Sequence, residues 1–274
     1  LFLWTQFQEY RIANSQAEKM FSIEQIERRH IDPKEYKEIG TVKLENVSFG
    51  YGGKLVFENI NLDLKIPDTI GIRGDNNAGK ATLMRLIAGI VKPTSGRIFV
   101  NGIPPSDYQS EEVVKYIGYI SANNILFQGT ILENLTAFNE NMENEALEIA
   151  KMFNLDKEIA LLPKGYDTKV NDGIADIIAP GIKQRIAIAR ALLHKPKIIL
   201  FHNADRGLDK EGYNLLIKFL HLINNQTTTI IVTEDHNINL LVDREYLLKD
   251  GKLTEINSKD SRVYDIKPYK ELKI

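Results

Sequence analysis

The chain has no cysteine, a single tryptophan and no excess of either charge. Its 274 residues contain Cys 0 and Trp 1, which excludes disulfide bonds and cysteine-ligated zinc and makes a reducing compartment natural. The formal net charge is -2 at pH 7, so the composition gives no sign of a nucleic-acid partner, because polyanion binders usually carry a basic excess. No apolar run in the sequence is long enough for a membrane-spanning helix. The hydrophobic content of 43% is sufficient for one large domain or two small ones.

A glycine-containing loop between a strand and a helix is the strongest motif. The segment 74–82 follows the phosphate-binding pattern G-x-x-x-x-G-K-[ST], except that Ala81 replaces the hydroxyl that ligates Mg²⁺. A short buried strand is predicted over 69–73 and an apolar helical stripe from Leu83 onward. A strand, a glycine loop and a helix N-terminus together form an anion site. The predicted phosphate-binding residues are Gly74, Asn76, Asn77, Ala78, Gly79, Lys80, Ala81 and Thr82.

The rest of the chain alternates between strand and helix patterns. Residues 42–49 and 60–66 alternate apolar and polar residues as half-buried strands do. Residues from about 131 to 191 are predicted to be mainly helical, and the apolar runs 197–201 and 229–232 to be buried parallel strands around a helix over 212–222. This order predicts an α/β architecture.

Three further segments carry a resemblance to a known family. Residues 46–51, 117–135 and 184–193 are similar to the opening strand, the Q-loop region and the helix after the signature motif of ABC transporter nucleotide-binding domains. The order of elements resembles the exporter type, whose membrane helices precede this domain. The resemblance covers about 42–255. It implies a P-loop NTPase fold with a RecA-like core, an antiparallel β subdomain and a helical subdomain, here about 123–190.

The resemblance also assigns roles, and several residues depart from the family pattern. Tyr51 would stack on the adenine of ATP; the alternative is an aromatic residue packed in the core. The glutamine of the Q-loop falls on Ala122, the Walker B Asp-Glu pair falls on His202 and Asn203, and the switch histidine falls on Glu234.

The signature motif LSGGQ is also changed, to Ile178-Ala179-Pro180-Gly181-Ile182. Ala179 has no hydroxyl and Pro180 has no backbone N–H to offer a γ-phosphate. Family dimers place each nucleotide between one subunit's Walker A and the other's signature, so both composite sites would be affected.

The N-terminal residues are predicted to form an amphipathic helix. Phe2, Trp4 and Phe7 begin an apolar series at helical spacing that ends before Pro33. Because the chain starts without methionine or a signal peptide, we interpret 1–40 as a linker from an absent membrane domain and 41–274 as the nucleotide-binding domain. The helix either packs on its own domain or lies against a membrane or partner, since aromatic residues crowd its first turns.

The sequence therefore leaves two functional hypotheses. In the first, the chain is a degenerate domain that binds ATP weakly, makes doubtful use of Mg²⁺ and hydrolyses poorly or not at all, with no catalytic or metal site intact. In the second, it is a working ATPase in which Asp205, Asp209 or Glu234 replaces a lost carboxylate and His236 serves as the switch. Either would act at the cytoplasmic face of the inner (cell) membrane, joined to a transmembrane domain of the same polypeptide and paired as a homodimer or heterodimer.

Overall fold

The computed structural model describes most of the region that the sequence patterns assign to one α/β domain. It describes residues 39–108, 110–122, 125–170 and 177–256. The predicted amphipathic helix within 1–40 lies outside the described residues, apart from 39 and 40. None of the helices in the described ranges has the length and apolar character needed to cross a bilayer.

The strands and helices that the sequence patterns predict are present in the predicted order, whereas the helix Ser110–Tyr116 and the strands Arg244–Lys249 and Lys252–Ile256 were not predicted. The strands are β1 Val42–Tyr51, β2 Lys54–Leu64, β3 Asp68–Arg73, β4 Ser95–Val100, β5 Ile117–Ser121, β6 Gly129–Thr130, β7 Lys169–Val170, β8 Ile198–His202, β9 Thr228–Val232, β10 Arg244–Lys249 and β11 Lys252–Ile256. The helices are α1 Lys80–Ile87, α2 Ser110–Tyr116, α3 Ile131–Leu135, α4 Glu143–Met152, α5 Leu155–Ile159, α6 Pro180–Leu192, α7 Lys210–Ile223 and α8 His236–Asn239.

A mainly parallel sheet forms the centre of the described structure. Its order is β11-β10-β3-β9-β8-β5, and every pair except β10 with β11 is parallel. All five residues of β9 and the first four of β8 are buried. Such strands are covered on both faces, which explains why their sequences are continuous apolar runs. The prediction of buried parallel strands is therefore confirmed.

A separate antiparallel sheet has the order β2-β1-β4, and Val56 and Phe57 of β2 lie against Gly79 of the phosphate loop. The strands β1 and β2 alternate buried and exposed residues over parts of their length, as an antiparallel sheet with one covered face does. Helices α3 to α5 lie between 131 and 159, and the short strands β6 and β7, which precede and follow them, pair with each other. One hydrophobic cluster runs from these helices through α6 to α7, and a second fills the space between the two larger sheets.

Candidate nucleotide site

The phosphate loop has a backbone shape that glycine makes accessible. Gly74 has φ 153 and Gly79 has φ 102, which are conformations that side-chain-bearing residues rarely adopt. A Cβ on Gly74 would lie 2.3 Å from the carbonyl oxygen of Leu248, and one on Gly79 would lie 2.6 Å from Cγ1 of Val56. Asn77 has φ 66. Asparagine tolerates this left-handed conformation better than most residues, so the loop keeps its turn without the middle glycine.

Lys80 folds back over this loop. Its ammonium donates hydrogen bonds to the carbonyl oxygens of Gly74 at 2.5 Å and Asp75 at 2.8 Å. Burial lowers the pKa of Lys80, and the charges of Glu234 and Asp75 act in the opposite direction. Helix α1 begins at this lysine, with Gly79 as its N-cap, no side-chain cap and no acidic residue in the first turn. The helix end is therefore open to an anion.

An open groove of about 400 Å³ adjoins the loop beside Tyr51. Its lining includes Tyr51, Val56, Asn77, Ala78 and Gly251. Tyr51 is 51% exposed, whereas Phe49 is buried and meets the edge of the Tyr51 ring at a centroid distance of 4.7 Å. The alternative of a core role for Tyr51 is therefore wrong, because about half of this residue stays accessible to solvent.

The carboxyl end of β8 carries His202 and Asn203 close to the loop lysine. His202 is half-buried, and its pKa is lowered by burial and by the positive charges of Arg85, Lys80 and Arg206. Its carbonyl oxygen accepts a hydrogen bond from the backbone N–H of Ala122 at 3.1 Å. Ala122 thus lies beside His202 and offers no polar side-chain atom.

The carboxylates near this edge have other partners. Asp205 accepts a hydrogen bond from the hydroxyl of Thr233 at 2.8 Å. Glu234 is exposed and forms an ion pair with Arg206 at 2.8 Å. Asp209 caps α7 by accepting from the N–H of Gly212 at 2.7 Å. Each of these three carboxylates therefore already contacts another group of the protein, in a loop or at the start of a helix.

His236 is the first residue of α8 and is exposed, and Asp235 caps that helix by accepting from the N–H of Ile238 at 2.9 Å. The hydroxyl of Tyr213 donates to the same carboxylate at 2.9 Å. These bonds fix the start of the helix in its present register, so remodelling it to bring His236 into the place of Glu234 would break them.

Two residues at the positions that would hold Mg²⁺ according to the family resemblance have no oxygen atom in their side chains. Oxygen ligands from carboxylates and hydroxyls suit this ion, whereas Ala81 and His202 supply a methyl group and an imidazole surrounded by cations. In the described ranges, no group of three or more His, Cys, Asp or Glu side chains could hold a metal ion. The phosphate loop by contrast fits the phosphates of a nucleotide, because its glycine geometry and lysine are retained.

The segment aligned with the signature motif forms the start of α6. Ala179 is the N-cap without a side-chain hydrogen bond, and Pro180 occupies the first turn. Proline is well tolerated there because that N–H has no partner within the helix, so the helix forms although a donor for phosphate is lost. Gln184, in the same helix, donates to the carbonyl oxygens of Ser121 at 3.0 Å and Ala204 at 3.1 Å.

Two cationic residues at this site were not predicted from the sequence. Arg85 and Arg206 act on His202, but neither belongs to the phosphate-loop pattern. Lys80 follows β3 and Arg206 follows β8, and these two strands lie on either side of β9 in the parallel sheet. No periodicity in the sequence carries that information.

Comparison with known proteins agrees with this geometry. A family model described as "ABC transporter" matches residues 57–205, more than half of the chain. The ATP-binding protein YfiB of Bacillus subtilis, described as an uncharacterized ABC transporter, is 33% identical over 85% of this chain and 41% of its own length. The alpha-hemolysin translocation ATP-binding protein HlyB of Escherichia coli O157:H7 is 31% identical over 96% of this chain and 38% of its own.

A solved structure shares the fold. A bacterial Atm1-family ABC exporter with ATP bound superposes with a TM-score of 0.71 at 27% identity, over 79% of this chain and 38% of that one. This chain thus spans well under half of the length of these relatives. The chain belongs to the ABC transporter family and has the fold of the nucleotide-binding domain of an exporter.

Proposed function

We propose that this chain is a degenerate nucleotide-binding domain of an ABC exporter, which binds ATP weakly, hydrolyses it poorly or not at all, and has a structural or regulatory role in transport. The observation that carries the proposal is the combination of a retained phosphate loop with Ala81, His202 and Asn203 at the positions of the metal ligands and the catalytic carboxylate.

Retained binding is supported by the loop and the groove. Gly74, Gly79 and Lys80 keep the backbone shape and the charge that cradle phosphates. The accessible ring of Tyr51 lies on the same groove as Asn77 and Ala78, where a planar base could stack on it. Weak affinity is proposed because the metal is not available to neutralise the phosphates and Glu234 adds a negative charge near Lys80.

Loss of hydrolysis is supported by the chemistry of phosphoryl transfer. Catalysis there is mainly positioning and electrostatic stabilisation, to which the metal and a water-orienting residue contribute. Removal of a general base costs about 10²–10⁴ in rate, and removal of one preorganised donor about 10²–10³. These factors do not multiply, because the groups act as a unit, but either factor alone lowers turnover strongly.

The rival hypothesis of a working ATPase is less well supported. It requires Asp205, Asp209 or Glu234 to orient water, yet these side chains contact Thr233, the start of α7 and Arg206. It also requires His236 to move out of the first turn of α8. Each of these carboxylates already has a structural contact in the described residues, and no contact among those residues places one of them beside the phosphate loop, where a water-orienting group would lie.

The proposed partners follow from the relatives. Their names describe transporters and a translocation ATP-binding protein, and this chain matches only a part of each. We therefore propose a transmembrane domain in the same polypeptide, pairing with a second ABC domain as a homodimer or heterodimer, and a position at the cytoplasmic face of the inner (cell) membrane.

A phosphate-release assay with Mg-ATP tests the proposed function. We expect the purified chain to release phosphate at the same background rate as its Lys80→Ala variant, because the groups that accelerate hydrolysis are missing. Nucleotide binding by the wild type, measured in parallel, should be detectable and weakened by Lys80→Ala. Robust turnover that Lys80→Ala abolishes would overturn the proposal in favour of a working ATPase.

A further inference from the structure

We propose that the groove beside Tyr51 selects the base of the nucleotide and prefers guanine to adenine, with Asp250 and Lys54 contacting the edge of the base. The inference rests on the proposed function, since it concerns the nucleotide held by the same phosphate loop. It goes further because it names the nucleotide that this chain binds more tightly, a guanosine triphosphate, beside the weak binding of ATP.

The aromatic ring in this groove does not by itself choose between bases. Tyr51 is 51% exposed and lines the groove. An aromatic side chain stacks on any base, because every base has a π-face. Selection therefore depends on the polar side chains around the ring, which would meet the edge of a stacked base.

A hairpin turn holds Asp250 at the groove. Asp250 and Gly251 are the two residues that join β10 to β11, and their φ values are 49 and 73. Two-residue hairpin turns require left-handed φ values of this kind. The carbonyl oxygen of Gly251 accepts a hydrogen bond from the backbone N–H of Glu58 in β2 at 2.9 Å. This bond fastens the turn to the sheet that carries Tyr51, so the place of Asp250 beside the groove is fixed.

Asp250 and Lys54 supply the groove with one acceptor group and one donor group. Both residues line the groove and are exposed. In the part of the chain that the structure describes, neither side chain has a hydrogen-bond or ion-pair partner. An ionised carboxylate only accepts hydrogen bonds, and an ammonium group only donates them. Both groups are therefore available to a ligand.

Guanine offers the groups that these two side chains can bind. Its N1–H and its N2 amino group are adjacent donors, which suit the two oxygens of the Asp250 carboxylate. Its O6 and N7 atoms are acceptors, to which a lysine ammonium binds. Adenine has a single amino donor beside an unprotonated N1, and it has no O6. Both side chains therefore favour guanine.

The turn by itself could also account for an aspartate, since Asp-Gly and Asn-Gly are both favoured in such hairpins. Asp250→Asn separates the two roles, because it keeps a favourable turn residue and exchanges one carboxylate oxygen for an amide NH₂. This NH₂ would face the N2 amino group of guanine, donor against donor. It would instead match xanthine, which has a carbonyl oxygen in place of that amino group.

Competition titrations against one fluorescent ATP analogue test the proposal. They measure the Kd of ATP, GTP, inosine triphosphate and xanthosine triphosphate for the wild type and Asp250→Asn, each in EDTA and in MgCl₂. Inosine triphosphate lacks only the N2 amino group of GTP. Asp63→Asn is the matched control, since Asp63 is an exposed aspartate of β2 that does not line the groove.

We expect the wild type to bind GTP about tenfold more tightly than ATP, at the low end of the discrimination that a good bidentate base contact provides. Inosine triphosphate should bind with intermediate affinity, because it keeps N1–H and O6. Asp250→Asn should bind GTP about tenfold more weakly than the wild type and xanthosine triphosphate about tenfold more tightly. Asp63→Asn should keep the wild-type preference.

The results that would overturn the inference differ in what they say of the proposed function. Binding of ATP by the wild type as tightly as GTP would contradict the preference for guanine while leaving a nucleotide-binding domain in place. Xanthosine triphosphate binding that Asp250→Asn does not improve would show that Asp250 serves only the turn. Absence of binding of every nucleotide would contradict both. The comparison of ATP with GTP uses only the wild type, so it remains decisive if a variant fails to fold.

Discussion

Asn77 shows how a single residue can preserve the backbone shape of the phosphate loop without a glycine. Its φ of 66 places it in the left-handed region, where asparagine is tolerated without the freedom of glycine. Gly79 has φ 102 and no room for a Cβ beside Val56, so this position requires glycine. At Ala81, His202 and Asn203, by contrast, the side chains differ from the hydroxyl and the carboxylates that the family resemblance places there.

The left-handed conformation of Asn77 leads to a stability prediction. Because Asn77 is exposed, a substitution there acts mainly through the backbone. Asn77→Ala should lower the free energy of unfolding by about 1 kcal/mol relative to Asn77→Gly, since alanine pays the left-handed penalty. Denaturant unfolding of the two variants measures this difference. Equal stabilities would show that the loop does not hold this conformation in solution.

Helix α6 keeps a structural role although its first residues no longer form a signature motif. Arg185, in its second turn, is fully buried and donates to the carbonyl oxygen of Phe153 at 3.1 Å. It also pairs with Glu158 in α5 and contacts Asp209 at 3.5 Å. One guanidinium therefore connects the helical region to the cap of α7.

This contact predicts a strong effect of Arg185 on stability. Arg185→Ala should lower the free energy of unfolding by about 3 kcal/mol, because it empties the volume of a fully buried side chain and removes the donor to the carbonyl oxygen of Phe153. Arg206→Ala is the matched control: it also removes an arginine ion pair, but both partners are exposed, so its effect should be within about 1 kcal/mol. Denaturant unfolding compares them. Similar losses for the two variants would contradict the assigned role of Arg185.

The sequence predicts elements better than contacts. The apolar runs of β8 and β9 and the loop before α1 are readable because burial and phosphate binding impose local patterns. The pairing of Arg206 with Glu234, and of Asp205 with Thr233, joins residues 28 positions apart, which no local pattern specifies. The sequence also left open whether Tyr51 is buried, because an aromatic residue in a strand fits either face.

The features that this chain shares with the family fold and the residues that depart from the family motifs lie in different parts of the molecule. The parallel sheet, its buried strands and the two hydrophobic clusters are those of the family fold. The departures collect at the carboxyl ends of the strands and the start of α6, where ligands bind in open α/β sheets. Stability and ligand chemistry depend on separate sets of residues here, so the fold persists while the site differs.

The most direct test compares the magnesium dependence of ATP affinity in the wild type and in a triple variant, Ala81→Ser with His202→Asp and Asn203→Glu. We expect magnesium to strengthen ATP binding in the triple variant, because the hydroxyl and carboxylates provide oxygen ligands for the metal, and not to strengthen it in the wild type. Equal strengthening by magnesium in both proteins would contradict this expectation.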